Sequence, residues 1–115
     1  MVIGSAGGAG GRIHVERTLN VIYDIIRKHS LENLKTAVIW ADIDKELVRS
    51  KQAQGKVNPL GSAVKPLTPQ RLEETTGIVA QMGHEPILKA LQSGAQLVVC
   101  GRAYDPSPFA AVTAY

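Results

Sequence analysis

The chain has 115 residues, of which 44% are hydrophobic and 20% charged, with a formal net charge of +3. That is the length of one small globular domain, with an ordinary apolar share for its core. One cysteine excludes an internal disulfide; the dispersed basic residues form no aromatic-and-basic platform for nucleic acid, and no apolar run reaches membrane-spanning length or follows a signal-peptide pattern.

Val2-Ile3-Gly4-Ser5-Ala6-Gly7-Gly8-Ala9-Gly10-Gly11 begins apolar, as a buried strand does, and becomes a run of small residues. Arg12-Ile13-His14 leads into Val15–His29, where Val15, Leu19, Ile22 and Ile26 recur at helical spacing. Arg27, Lys28 and His29 fall in its last turn, where cations suit the helix dipole. Lys35–Ala41 is apolar and rich in β-branched residues, which predicts a second buried strand. Asp44 is placed to cap a short helix from Lys45 to about Gln52, and Gly55 to stop it. Lys56–Pro69, with Asn58-Pro59, Gly61-Ser62 and prolines at 66 and 69, predicts an exposed loop.

Thr68-Pro69 opens the next helix as N-cap and first residue, and its weak apolar face of Leu72, Thr75, Thr76, Val79 and Ala80 predicts a run to near Gly83. His84-Glu85-Pro86 starts a helix over Ile87–Ser93, ended by Gly94. Gln96–Cys100 is the third apolar strand, Gly101–Pro106 the loop after it, and Pro108–Ala111 the start of a further helix. Aromatics are only 4% of the chain, so aliphatic side chains must build the core. Three strands alternating with helices predict parallel pairing and right-handed crossovers. The expected fold is a single α/β domain over residues 1–115, a Rossmann-like three-layer sandwich with a small parallel sheet.

A strand, a glycine turn and a helix together form the grammar of a phosphate-binding loop, because glycines bare the backbone and the helix start favours an anion. Neither the dinucleotide nor the P-loop pattern is matched, and a tight strand-to-helix turn explains the same residues. All three predicted strands end in unusual loops, and in a parallel sheet those ends share one edge, where ligands bind. The candidate binding residues are therefore Gly7, Gly8, Gly10, Gly11, Asp42, Asp44, Arg102, Tyr104 and Asp105.

Asp42 stands where a dinucleotide fold keeps its ribose-binding acid, and Asp44 doubles as a helix cap. Arg102 could hold a carboxylate or phosphate, or pair with Asp105 to fix the loop. Tyr104 could donate to a substrate oxygen or anchor the loop. His14 could act as an acid or base beside an anion, or be structural. His14, His84 and the aspartates lack metal-ligand spacing, so no metal site is expected, and no catalytic residue or cofactor is assigned. Cys100, at the end of a buried strand, reads as an inert core thiol.

Ile3–Gly10, Ala41-Asp42-Ile43-Asp44-Lys45, Ile78–Pro86 and above all Gly101-Arg102-Ala103-Tyr104-Asp105-Pro106 resemble, in order, the N-terminal domain of the acyclic terpene utilisation protein family. The resemblance runs along nearly the whole chain. It implies a context in bacterial catabolism of citronellol-type terpenes and related branched acids, rather than a reaction. Family members extend beyond both ends, so it also implies that the chain is a fragment of a longer domain with an incomplete active site.

Two functions are compatible with these residues. One is a cytoplasmic domain that binds an anionic small molecule, a nucleotide or an acyl-CoA. The other is a truncated, non-catalytic module acting as an oligomeric structural or interaction protein. A homo-oligomer is expected in either case, with Val2, Ile3, Phe109, Val112 and Tyr115 as the apolar residues in need of cover. No nucleic-acid or membrane partner is expected.

Overall fold

The computed structural model describes residues 1–31 and 33–115. The elements run β1 (Val2–Ile3), α1 (Arg12–Lys28), β2 (Thr36–Ile39), α2 (Lys45–Ala53), α3 (Pro69–Glu74), α4 (Glu85–Gln92), β3 (Leu97–Cys100) and α5 (Ser107–Ala114). They fall into two compact units, Met1–Asp42 with Val79–Tyr115, and Ile43–Ile78.

The first unit is built on a three-stranded sheet of order β1-β3-β2. Both pairings are parallel, with Val2 opposite Val98 and Val38 opposite Val99. β3 lies in the middle because its residues are apolar on both faces: Leu97, Val98, Val99 and Cys100 are all buried. Side chains alternate across the pleat. Val98 and Cys100 face a core with Ile87 and Leu91 of α4 and Ala111 of α5. Leu97 and Val99 face another with Val15 and Leu19 of α1. Helices therefore cover both faces of a mixed α/β unit.

α1 begins at Arg12, three residues before the expected start, with Gly11 as its N-cap. It ends on a Schellman motif: Leu31 N–H donates to the Ile26 carbonyl at 3.0 Å, and Ser30 takes the left-handed conformation with φ 53°. The same motif ends α2 at Gly55 and α4 at Gly94, where glycine fills the left-handed position as the sequence predicts.

The second unit holds α2 and α3. Asp44 caps α2 by accepting the Glu46 N–H at 2.6 Å. Thr68 caps α3 by accepting the Arg71 N–H at 3.2 Å. Arg49 of α2 bonds Glu73 of α3 and its own neighbour Glu46. The segment from Lys56 to Thr68 contains no helix or strand and is exposed save for Val57 and Leu67, which are half-buried; Pro69 is already the first residue of α3.

One expected helix is corrected. α3 ends at Glu74 and does not reach Gly83. Thr75, Thr76 and Gly77 are poor helix formers, and the Thr75 hydroxyl donates back to the Arg71 carbonyl at 2.7 Å. In the first unit, Val79–Met82 is extended. Ala80 N–H donates to the Ala41 carbonyl at 2.8 Å and Met82 N–H to the Arg102 carbonyl at 3.1 Å. The strap thus joins the loop after β2 to the loop after β3. In the opposite direction, the last helix runs further than its sequence start suggests, to Ala114.

Candidate functional site

The carboxyl ends of the three strands lie side by side, so the loops that follow them are neighbours. After β1 the chain still pairs with β3: Ser5 N–H donates to Gly101 O at 3.1 Å and Ala6 N–H to Cys100 O at 2.9 Å. It then winds through positive φ at Gly7, Gly8 and Gly10. Two of the loop's N–H groups are used within it, Gly8 on the Ser5 carbonyl at 2.8 Å and Gly10 on the Ala6 carbonyl at 3.2 Å.

The glycines do different work. A Cβ on Gly10 would collide with the Arg102 backbone, whose N–H donates to the Gly10 carbonyl at 3.0 Å. A Cβ on Gly7 would come within 2.8 Å of the His14 Cβ. Around Gly8 there is open space on that side, and both Gly8 and Ala9 are exposed. The exposed stretch of the loop is Gly7–Ala9, and within it Gly8 alone of the two glycines has open space where a side chain would stand.

Gly11 has no side chain to cap α1. Asp42, from the loop after β2, supplies one across the fold: its Oδ1 accepts the Arg12 N–H at 3.0 Å. The Arg12 guanidinium lies 4.4 Å from the centroid of the Trp40 ring, a cation–π contact that ties the same two segments. Behind them the His14 Nδ1 is buried with no hydrogen-bond partner among the described residues.

Arg102, after β3, forms the second cluster. Its Nη2 donates to Gln81 Oε1 at 3.0 Å and its Nη1 to Ser5 Oγ at 3.3 Å. Nη1 also lies 3.9 Å from Asp105 Oδ1. Ser5 sits at φ 47°, unusual for a residue with a Cβ, and its hydroxyl donates to Ala103 O at 3.0 Å while accepting Ala103 N–H at 3.2 Å. Tyr104 is exposed; with Ser5, Asp105 and Phe109 it lines a cleft of about 240 Å³.

The structure thus brings Gly10 against Arg102, Asp42 against the start of α1, and Asp105 near Arg102. Tyr104 and Asp105 share the cleft, whereas Gly7, Gly8 and Gly11 do not line it. Asp44 belongs to the second unit, where it caps α2. Ser5 and Gln81, which hold the Arg102 guanidinium, are not among the residues picked out from the sequence. Their signal is only their position, one directly after β1 and the other within the strap. Burial pushes the Cys100 thiol up to about 11, so it stays protonated at neutral pH.

A parallel three-stranded sheet covered on both faces, with a glycine loop and two polar clusters at its carboxyl edge, defines a mixed α/β protein. The whole chain, residues 1–115, matches the family model described as Acyclic terpene utilisation family protein AtuA, and the chain belongs to that family. Comparison with curated proteins returns no match, and comparison with solved structures returns none. Among the described residues, no helix is long and apolar enough to cross a membrane.

Proposed function

We propose that the chain is a Rossmann-like α/β module that binds an anionic small molecule at the glycine loop, in the service of acyclic terpene utilisation. The supporting observation is Gly8: it takes φ 88°, is exposed, and has open space where a side chain would stand. Close contacts account for the lack of a side chain at Gly7 and Gly10, whereas at Gly8 nothing nearby does. The exposed Gly7–Ala9 stretch can be approached by a ligand, although the Gly8 N–H is itself bonded to the Ser5 carbonyl. Arg12 and Trp40 flank the loop with a cation and an aromatic face, a pairing suited to a nucleotide or an acyl-CoA. Work in the cytoplasm agrees with a single reduced thiol.

Thermal-shift titration with nucleotides, acyl-CoA esters and inorganic phosphate tests this, since a ligand of the folded state raises apparent stability. One of these is expected to stabilise the chain, and the Gly8→Val variant is expected to abolish that shift. No stabilisation by any of them would refute the proposal.

A second reading is favoured by α5. Phe109, Val112 and Tyr115 form an exposed apolar stripe at three-residue spacing. In this reading the module is a homo-oligomer that uses that stripe for association and performs no catalysis. Light scattering at micromolar concentration decides it: a Phe109→Ser, Val112→Ser variant is expected to dissociate the oligomer, and a monodisperse wild-type monomer refutes this reading.

A further inference from the structure

The loop between α2 and α3 is pinned at both ends to the last turns of α2. Lys56 N–H donates to the Lys51 carbonyl at 2.9 Å, and the Gln52 side-chain amide donates to the Leu67 carbonyl. Val57 and Leu67 at this neck are half-buried, whereas every residue from Asn58 to Pro66 is exposed. Two turns shape the tip: Gly61 N–H donates to the Pro59 carbonyl at 3.0 Å, and Val64 N–H to the Gly61 carbonyl at 3.3 Å. Leu60 is the middle residue of the first turn. It is 94% exposed, more than any other large hydrophobic side chain among the described residues, and Val64 is 50% exposed.

One exposed leucine is ordinary on a protein surface. The charge around this one is not. No Asp or Glu lies between Glu46 and Glu73, and that stretch holds Arg49, Lys51, Lys56, Lys65 and Arg71. Its five positive charges exceed the net +3 of the whole chain. Arg49 is taken up by Glu46 and Glu73. Lys51, Lys56 and Lys65 are exposed and enter no ion pair among the described residues. All three belong to the neck: Lys51 and Lys56 share a backbone hydrogen bond, and Lys65 stands two residues before the anchored Leu67. An apolar tip thus projects from a neck that carries three unpaired ammonium groups.

We infer that this loop docks the chain on an anionic phospholipid surface. Leu60 and Val64 enter the boundary between headgroups and acyl chains, and Lys51, Lys56 and Lys65 face the lipid anions. A protein partner would need a pocket cut to one protruding leucine, whereas a bilayer accepts a convex apolar tip of any shape. Lysine stems lie along apolar surface while their charges stay at headgroup level. Apolar insertion and charge are each weak signals alone, and together they give reversible attachment. Such contact needs no spanning helix, so it revises the expectation of no membrane partner. It does not depend on ligand binding at the glycine loop.

Flotation of the intact chain with phosphatidylcholine vesicles, with and without about 30% phosphatidylserine, tests the inference. Binding is expected to the anionic vesicles alone, and to be lost in about 0.5 M salt, where surface charge is screened. A lysine near an anionic surface is worth about fivefold, so replacing Lys51, Lys56 and Lys65 together by Gln is expected to weaken binding on the order of a hundredfold. Leu60→Ser is expected to weaken it several-fold and to leave the unfolding midpoint unchanged, because so exposed a side chain packs on little. Leu60→Trp is expected to retain binding, and its emission to shift to the blue on anionic vesicles beyond any change in wild type, which has Trp40 alone. No binding to anionic vesicles, equal binding to neutral ones, indifference to Leu60→Ser or an unshifted Leu60→Trp emission would overturn the inference. Retention on polyglutamate without vesicle binding would overturn it in favour of an acidic protein partner.

Discussion

The Asp42 carboxylate accepts the first N–H of α1, that of Arg12, at 3.0 Å. The acid that sequence position marks as a ribose ligand is thus engaged as a tertiary N-cap, doing for α1 what Gly11 cannot. The partly positive end of the helix is neutralised by the protein's own anion. Asp42→Ala is expected to lower stability by about 1 kcal/mol, the usual worth of a capping side chain. Asp42→Asn keeps an accepting oxygen and is expected to retain most of that. Urea denaturation of the three proteins measures the difference.

Gly10 and Gly8 are both at positive φ, and they are expected to respond differently to the same substitution. Gly8→Ala meets open space and costs only the left-handed backbone, about 1–2 kcal/mol. Gly10→Ala adds a collision with the Arg102 backbone to that strain. Its unfolding midpoint is expected to fall well below that of Gly8→Ala. Equal midpoints would show that the Gly10–Arg102 approach is relieved at no cost.

Ser30 occupies the left-handed position that glycine fills at the ends of α2 and α4. Its φ of 53° carries a steric cost that glycine avoids, offset in part by the larger entropy glycine loses on folding. Ser30→Gly is therefore expected to stabilise the chain by up to about 1 kcal/mol. The check is a higher denaturation midpoint with an unchanged slope.

The three strands are legible in the sequence because each is a short aliphatic run, and β3 is apolar at every position, as a doubly covered strand must be. Helix ends are legible at Gly55 and Gly94, where local backbone chemistry decides the outcome. Val79–Met82 is not legible. Its own residues permit a helix, and what holds it extended is hydrogen bonding to Ala41 and Arg102, which are distant in sequence. The same limit applies to the site. The glycine run announces a turn, but whether a given glycine is packed or bare depends on His14 and Arg102. Arg102 is recognisable as a polar residue at the carboxyl edge, whereas its partners Ser5 and Gln81 emerge only when β1, the strap and β3 converge.

Cys100 is buried in the core at the end of β3, and its thiol is raised to about 11 by that burial. Thiolate is the reactive form, so little is present at neutral pH. Native protein at pH 7.5 is expected to react with a thiol reagent only at the rate at which it opens, and denatured protein immediately. Fast labelling of the native chain would show that the end of β3 is accessible.

Within the second unit, Arg49 links α2 to α3 through Glu73, and the guanidinium holds the Glu73 carboxyl below its ordinary value of 4.5. The lowered value fixes the sign of the pH dependence. Above about pH 4.5 the carboxylate is charged in folded and unfolded chains alike, and the link contributes fully. As the pH falls below that value, the unfolded chain takes up the proton first, and the contribution fades until the folded carboxyl is protonated too. Both side chains are solvent-exposed, so the effect is small and weakened by salt. Urea midpoints of wild type and Glu73→Gln are expected to differ most at pH 6 and to converge toward pH 3, with the gap narrower in 0.5 M salt. A gap that stays constant from pH 6 to 3 would show that Glu73 acts through packing, not through its charge on Arg49.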